Sequence, residues 1–412
     1  MNILHLATTY PLFAGDSNAV FVENLAEALA ARGHGVHVLL PWHPDLQLNR
    51  EGRRAHLYAF RYSPFPRWHP WGYAQALTAD KSLRWDAYLA APLAAMSSSL
   101  AVRRMLGTTS IDIVNTHWML PNGPITGLAL IGKACPNIVS CHGSGVFLAE
   151  RHGWAASAAR WALKRCDKVT ACSQDLAQRA ESLWPGPGVE WIPYGVDTNT
   201  FGPLEAQELQ ATRRSIADRH GLDAEGQWIL AVGRLVHKKG FDHLVAALAP
   251  VRQTAPSAEL LIIGDGPLED SLRQQAQEAG VSGATHLLGA LPHDLLPAYY
   301  AAADLVAVPS VHGPAGNVDG LPNTFLEGLA SGTAVVASRI AGMLDLAGDG
   351  KTALLVPEGD AEALAAALAE LLADGGRRRQ RGDAARQLAM NRLGWDQAAA
   401  HFESVYDEAL KK

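Results

Sequence analysis

Short apolar runs alternate with amphipathic stretches along nearly the whole chain, and this alternation constrains the fold more than any other feature. In the first half, Ile3–Ala7, Val36–Leu40, Ile111–Asn115, Ile138–Cys141, Lys168–Ala171 and Val189–Ile192 read as strands. Most carry consecutive apolar residues rather than one at every second position, so both faces of each strand need cover. Helical stretches lie between most of them. Asn18–Arg32 carries Val22, Leu25, Ala26 and Leu29 at helical spacing and stops at Gly33, and Asp86–Leu106 and Trp154–Cys166 follow the same pattern. Strands joined by helices in this way build a parallel sheet with helices on both sides.

Pro193-Tyr194-Gly195-Val196-Asp197 and then Gly202-Pro203 interrupt both periods, and a domain boundary is expected there. The pattern then restarts. Trp228–Val232, Glu259–Ile263, Asp304–Val308, Ala334–Ala337 and Leu354–Val356 read as strands, and Phe241–Val251, Leu268–Ala279, Thr324–Ser331 and Ala361–Ala373 as helices. Arg377–Asn391 and Asp396–Leu410 close the chain as helices with no strand after them. The expected division is 1–200 and 201–390, each a Rossmann-like α/β domain, with 391–412 packing back on the first. Ligands of open parallel sheets sit at the carboxyl ends of the strands. Two such domains are therefore expected to share a cleft between facing sheets.

Composition narrows the chemistry. The 412 residues carry a net charge of -6, so no global basic field favours nucleic acid. No apolar run reaches the roughly 20 residues that span a bilayer. The opening Met1–Ala7 lacks a basic leader and reads as a buried strand rather than a signal peptide. Cys135, Cys141, Cys166 and Cys172 form no C-x-x-C pair and read as reduced thiols of a cytoplasmic protein. Arg50, Arg53, Arg54, Arg61 and Arg67, interleaved with Phe60, Tyr62, Phe65, Trp68 and Trp71, are either a solvated loop or a rim that touches a membrane surface.

No Asp-x-Asp pair is present, and the histidines show no metal-ligand spacing. Cations stand out instead. In Val232-Gly233-Arg234-Leu235-Val236-His237-Lys238-Lys239-Gly240, Arg234 follows a strand end and Lys239 lies at the turn into the next helix. Two cations on a glycine-bounded turn suit an anion. Asp319-Gly320-Leu321-Pro322-Asn323-Thr324-Phe325-Leu326-Glu327 adds a turn, a helix start expected to be capped by Asn323 or Thr324, and acids on either side of it. Gly264-Asp265-Gly266 lacks the third glycine of a dinucleotide fingerprint and is not read as an NAD site.

Taken together, these segments resemble family 4 of the retaining glycosyltransferases, which share the two-domain GT-B fold. Gly233-Arg234 to Lys239-Gly240 is similar to that family's glycine-arginine and lysine-glycine signature, and Gly264-Asp265-Gly266-Pro267 to its glycine-rich turn. Leu291-Pro292-His293-Asp294 through Asp304 is similar to its base-binding segment, and Asp319 with Glu327 to its paired acids. The resemblance implies a nucleotide diphosphate sugar as donor, with UDP or GDP, no metal and no further cofactor. It implies that Arg234 and Lys239 neutralise the diphosphate and that Glu327 holds the ribose. Asp319 would grip the transferred sugar, helped by the backbone of Gly320, Leu321, Pro322 and Asn323, while Gly264 and Leu291 line the nucleotide.

In the first half, Ala14-Gly15 stands where the family brings glycine to the phosphate and acceptor, though Gly15 could equally serve a simple turn. Ser140-Cys141-His142-Gly143-Ser144 resembles the family's strand-end histidine, which implies that His142 bonds the transferred sugar. His117 is a second strand-end histidine, expected to line the acceptor side or to be structural. The chain departs from the family at Asp319 (usually Glu), at Gly145 (often Asp) and at Tyr194 (often Asn). The implied reaction is hexosyl transfer with retention to a glycan, lipid-linked or small-molecule acceptor. A non-catalytic nucleotide-sugar binder, a phosphorylase and an epimerase on the same fold are the alternatives.

Overall fold

The computed structural model describes every residue except 17, 66–67, 74–76, 79–81, 84, 184–185, 187, 315, 348–349 and 412. The chain forms two compact units, Met1–Gly195 with Trp395–Lys412, and Val196–Gly394.

The first unit is built on strands β1 (Asn2–Leu6), β2 (Gly35–Pro41) and β3 (His56–Phe60), a short antiparallel pair β4 (Leu77–Thr78) and β5 (Ser82–Leu83), then β6 (Ile113–His117), β7 (Asn137–Cys141), β8 (Lys168–Ala171) and β9 (Val189–Trp191). Seven of them make one sheet in the order β3-β2-β1-β6-β7-β8-β9, every neighbouring pair parallel. Strands β6 and β7 are buried at every position, and their polar side chains pair with one another there: Thr116 Oγ1 donates to Asn137 Oδ1 and Ser140 Oγ to Asn115 Oδ1, each at 2.8 Å. On one face Leu25, Leu29, Phe402 and Val405 share a cluster with Ile3, Val36 and Ile113. The closing helix Trp395–Leu410 thus packs on this unit, where Tyr406 Oη accepts a 2.7 Å hydrogen bond from Asn115.

The second unit holds β10 (Gln227–Val232), β11 (Ala258–Ile263), β12 (Thr285–Leu287), β13 (Leu305–Val308), β14 (Ala334–Ser338) and β15 (Leu354–Val356). They pair in parallel in the order β12-β11-β10-β13-β14-β15. The order reverses between β10 and β13, so a crevice opens at their carboxyl ends. There the loops Gly233–Gly240 and Pro309–Pro322 meet.

Several boundaries differ from the sequence reading, for local reasons. The first helix starts at Val20, after Ala19 takes a left-handed conformation. Strand β6 begins at Ile113, because Asp112 is used to pin Asn2, accepting its amide at 2.6 Å. Helix Met119–Ala129 was hidden by Pro121, Gly123 and Pro124; the chain is extended at Leu120 and turns helical only beyond it. Pro121 therefore falls in the first turn, where its missing N–H is no loss. Helix Gly375–Arg392 starts earlier than expected, because Asp374 caps it through Gly376 and Arg377 at 2.9 and 3.0 Å.

Candidate active site

In the second unit the predicted cations and one predicted acid converge. Asp319 Oδ2 lies 2.7 Å from Lys239 Nζ and Oδ1 lies 3.0 Å from Lys238 Nζ. Burial alone would raise the Asp319 carboxyl, but Lys239 and then Lys238 outweigh it and hold the group well below the usual carboxylate range. Lys238 was missed because only Lys239 matched the signature; the run His237-Lys238-Lys239 was the available signal. The Lys238–Gly240 turn is fixed from below, since Val311 N–H donates to Lys238 O at 2.9 Å. Gly240 takes φ 66° there, and a Cβ on it would fall 1.9 Å from Pro309 O. Arg234, next to Gly233 at the end of β10, is exposed.

Gly264 is placed by packing. It takes φ 143°, and a Cβ would lie 1.9 Å from Gly233 O. Its position brings the turn after β11 against the turn after β10, and Leu235 N–H donates to Asp265 O at 2.7 Å. Gly320 and Leu321 are buried, and Gly320 O accepts from Gly342 N–H at 2.8 Å. Pro322, not Asn323 or Thr324, occupies the cap position of helix Asn323–Ala330, and no side chain caps it. The expected cap fails because proline already supplies the extended residue before the first turn. Asn323 and Thr324 stand half-buried in that turn.

Glu327 is only 7% exposed. Its Oε2 accepts from Tyr300 Oη at 2.9 Å, and Oε1 lies 3.1 Å from His293 Nε2. The hydrogen bond to Glu327, working against burial, raises the His293 pKa. His293 thus joins the segment that starts at half-buried Leu291 to the second acid. Asp304, at the other end of the matched segment, sits elsewhere. It accepts from Trp228 N–H at 2.9 Å and pairs with Arg213 and Arg378 at 3.3 Å each, at the amino end of the sheet. It holds the fold and is far along the strands from the carboxyl-edge loops.

In the first unit the histidines line up. His5 Nδ1 lies 2.7 Å from His117 Nε2, His117 Nδ1 lies 2.9 Å from His142 Nε2, and His142 Nδ1 lies 2.8 Å from Tyr194 Oη. His117 is fully buried, so it does not line an open acceptor surface. Both ring nitrogens of His142 are engaged. A sugar hydroxyl can bond Nδ1 only by replacing Tyr194. Burial lowers the His5 and His142 pKa values to about 3 and that of His117 well below normal, so all three rings are neutral. His5 escaped the sequence reading because it lies inside an apolar strand.

Gly15 is exposed at φ 88°, with nothing within 4 Å of a Cβ placed there. A Cβ on Gly145 lies 2.7 Å from Leu120 N, so the larger acid often found there cannot fit without moving the backbone. The basic stretch is mostly tied into the fold. Arg50 and Arg53 pair with Glu23 at 2.8 and 3.2 Å, and Arg61 lies over Trp42 at 4.2 Å. Phe65 and Trp68 remain 61% and 69% exposed, and Arg67 lies outside the described residues. All four cysteines are free thiols. Among the described residues no helix is long and apolar enough to cross a membrane, and no three His, Cys, Asp or Glu side chains group to hold a metal ion.

Residues 212–388 match the family model glycosyl transferases group 1, and residues 19–200 match glycosyltransferase family 4. A GDP-mannose-dependent alpha-(1-6)-phosphatidylinositol monomannoside mannosyltransferase of Mycolicibacterium smegmatis is 33% identical over 71% of this chain and 76% of its own length. The chain belongs to glycosyltransferase family 4. A glycogen synthase of Mycobacterium tuberculosis is 29% identical over 98% of this chain and 94% of itself. A 2-deoxystreptamine N-acetyl-D-glucosaminyltransferase of Streptomyces fradiae is 29% identical over 92% and 87%. The family 4 fold is shared with a solved sucrose-phosphate synthase from Thermosynechococcus elongatus, at TM-score 0.77 and 22% identity over all of both chains. Anabaena HepE in complex with UDP gives 0.75 at 19% identity over 99% of this chain and 100% of that one. Both units are thus the Rossmann-like halves of a GT-B glycosyltransferase.

Proposed function

We propose that this family 4 chain moves a hexosyl group from a nucleotide diphosphate sugar to a glycan, lipid-linked or small-molecule hydroxyl, with retention and without a metal. The mannosyl, glucosaminyl and glycogen-forming relatives support the sugar-nucleotide donor and leave the acceptor open. One observation carries the reading: Lys238 and Lys239 are held by Asp319 on the turn that follows Gly233-Arg234. One carboxylate faces two ammonium groups there, and Arg234 adds a third cationic side chain to the same turn. A departing diphosphate gains negative charge as the anomeric bond breaks, and fixed cations stabilise that charge most in the transition state.

In this reading Arg234 and Lys239 meet the diphosphate, and Glu327, anchored by Tyr300 and His293, faces the ribose hydroxyls. Asp319 with the Gly320–Asn323 backbone faces the transferred sugar, and the first unit supplies His142 and Gly15. Departure of the diphosphate leaves an oxocarbenium-like sugar, and the acceptor attacks from the same face. The leaving phosphate oxygen takes the acceptor's proton. The aromatic stretch around Phe65 and Trp68 offers a lipid-linked acceptor its surface.

Arg234→Ala tests the assignment. Donor turnover, followed as nucleotide release, should fall by about 10²- to 10³-fold, with the unfolding midpoint measured beside it so that a lost fold is told apart from a lost charge. Turnover within a few-fold of wild type would remove the electrostatic role. Release of sugar phosphate from a glycan by inorganic phosphate would favour a phosphorylase instead.

A further inference from the structure

Three adjacent strands of the first sheet each bring a histidine to their carboxyl ends. His5 lies in β1, His117 ends β6 and His142 follows β7, across the point where strand order reverses. The rings are nearly parallel, with centroids 5.0 Å apart at 19° for His5 and His117, and 5.2 Å at 12° for His117 and His142. Each contact joins Nδ1 of one ring to Nε2 of the next, at 2.7 and 2.9 Å. Phe21 packs on His142 at 4.8 Å and on Tyr194 at 4.5 Å, which holds the end of the row in place.

A neutral imidazole has one N–H and one lone pair. At these distances two facing N–H groups or two facing lone pairs would repel, so all three rings must carry the proton on the same-named nitrogen. Two arrangements remain. With Nδ1–H throughout, His5 donates to His117, His117 to His142, and His142 to Tyr194 Oη. With Nε2–H throughout, Tyr194 donates to His142 and the row runs backwards. The second arrangement leaves the N–H at His5 Nε2 in the core, where no protein group among the described residues pairs with it. Buried donors without an acceptor are rarer than buried acceptors without a donor.

We propose that His5, His117 and His142 form a tautomer relay locked in the Nδ1–H form, so that His142 presents a hydrogen-bond donor to Tyr194 and to any ligand oxygen that replaces it. His5 and His117 are positioning residues in this scheme. Tyr194 is a built-in competitor that fills the donor's reach until a sugar oxygen displaces it. The relay itself stands on the first unit alone; the displacement step rests on the proposed glycosyltransfer.

The test uses the full chain labelled with ¹⁵N-histidine, whose ring nitrogens distinguish N–H from lone-pair forms by chemical shift. Single variants His5→Phe and His117→Phe assign the signals. All three rings should show a protonated Nδ1 and a bare Nε2. An Nε2–H form, or mixed forms, at any of the three would overturn the relay. Tyr194→Phe keeps the stack on Phe21 but removes the competing oxygen. UDP-glucose or GDP-mannose, whichever stabilises the wild-type chain, should bind it about three- to tenfold more tightly. Unchanged or weaker binding would overturn the displacement step. A chain that shows the relay signature but is stabilised by neither nucleotide sugar would support the relay and sink the donor assignment.

Discussion

Asp319→Asn preserves the shape of the side chain and removes its charge, which isolates the ion triad at the carboxyl edge of the second sheet. In the native loop the carboxylate sits 3.0 Å from Lys238 and 2.7 Å from Lys239. Removing one partner of a fully buried pair costs about 3–5 kcal/mol. These side chains keep 16–18% of their surface exposed, so the freed lysines can partly reach water, and about 2 kcal/mol is the better figure. For a unit of about 200 residues that lowers the melting temperature by about 4–8 °C. The pH dependence has a definite sign. The lysines depress the folded pKa below the ordinary 3.8 despite burial. The stabilisation is therefore complete above the unfolded value and fades as pH falls towards the folded one. Calorimetry should show a constant gap between wild type and variant from about pH 5 to 8, narrowing below about pH 4. A gap under about 1 °C at neutral pH, or one that does not narrow in acid, would refute the triad's contribution.

Gly264→Ala should destabilise by at least about 2 kcal/mol, because its Cβ would meet the Gly233 carbonyl and its φ is positive. Gly15→Ala has only its φ to contend with and should cost about 1 kcal/mol; equal urea midpoints for the two variants would contradict this. Tyr300→Phe leaves the buried Glu327 short of a donor and should cost about 2 kcal/mol in urea unfolding. His293 has a raised folded pKa, so its pairing with Glu327 stabilises fully below the unfolded 6.5 and is lost as pH rises through the folded value. His293→Phe should therefore lower the melting temperature more at pH 6 than at pH 9, and an equal drop at both would remove the charged pair.

Most strands were legible because well-covered parallel strands are largely apolar runs, and Trp228–Val232 and Ala334–Ala337 need only that rule. Helix Met119–Ala129 was not, because Pro121, Gly123 and Pro124 obey backbone rules of position rather than periodicity. The candidate site divides the same way. Lys239 and Asp319 carry their charge in the sequence, and the structure brings them together. Lys238, His293 and Tyr300 earn their places through contacts between segments far apart in the sequence, which no local window contains. His5 is the extreme case: its neighbours Leu4 and Leu6 mark a strand, and nothing in that strand reveals the two rings supplied by β6 and the residue after β7. Asp304 shows the converse. It lies in a segment that resembles a binding element, yet the sheet carries it to the amino end.

The glycines and the charges of the second unit answer different demands. Gly240 lies against Pro309 O, and Gly264 against Gly233 O, at distances that admit no Cβ. These are contacts between backbones at the ends of β10, β11 and β13, and they would be required with no ligand at all. They fix where the turn sits. Gly233 adds a passage for Lys239, whose Cε would be 3.1 Å from a Cβ there. A lysine on a free turn would lose much side-chain entropy on meeting an anion. Here Asp319 already orders it, so the diphosphate of the proposed donor would meet a cation in position. The same carboxylate competes for that cation, but it must serve Lys238 as well. The carboxylate is therefore divided between two ammonium groups, and the same two pairs hold the turn in order.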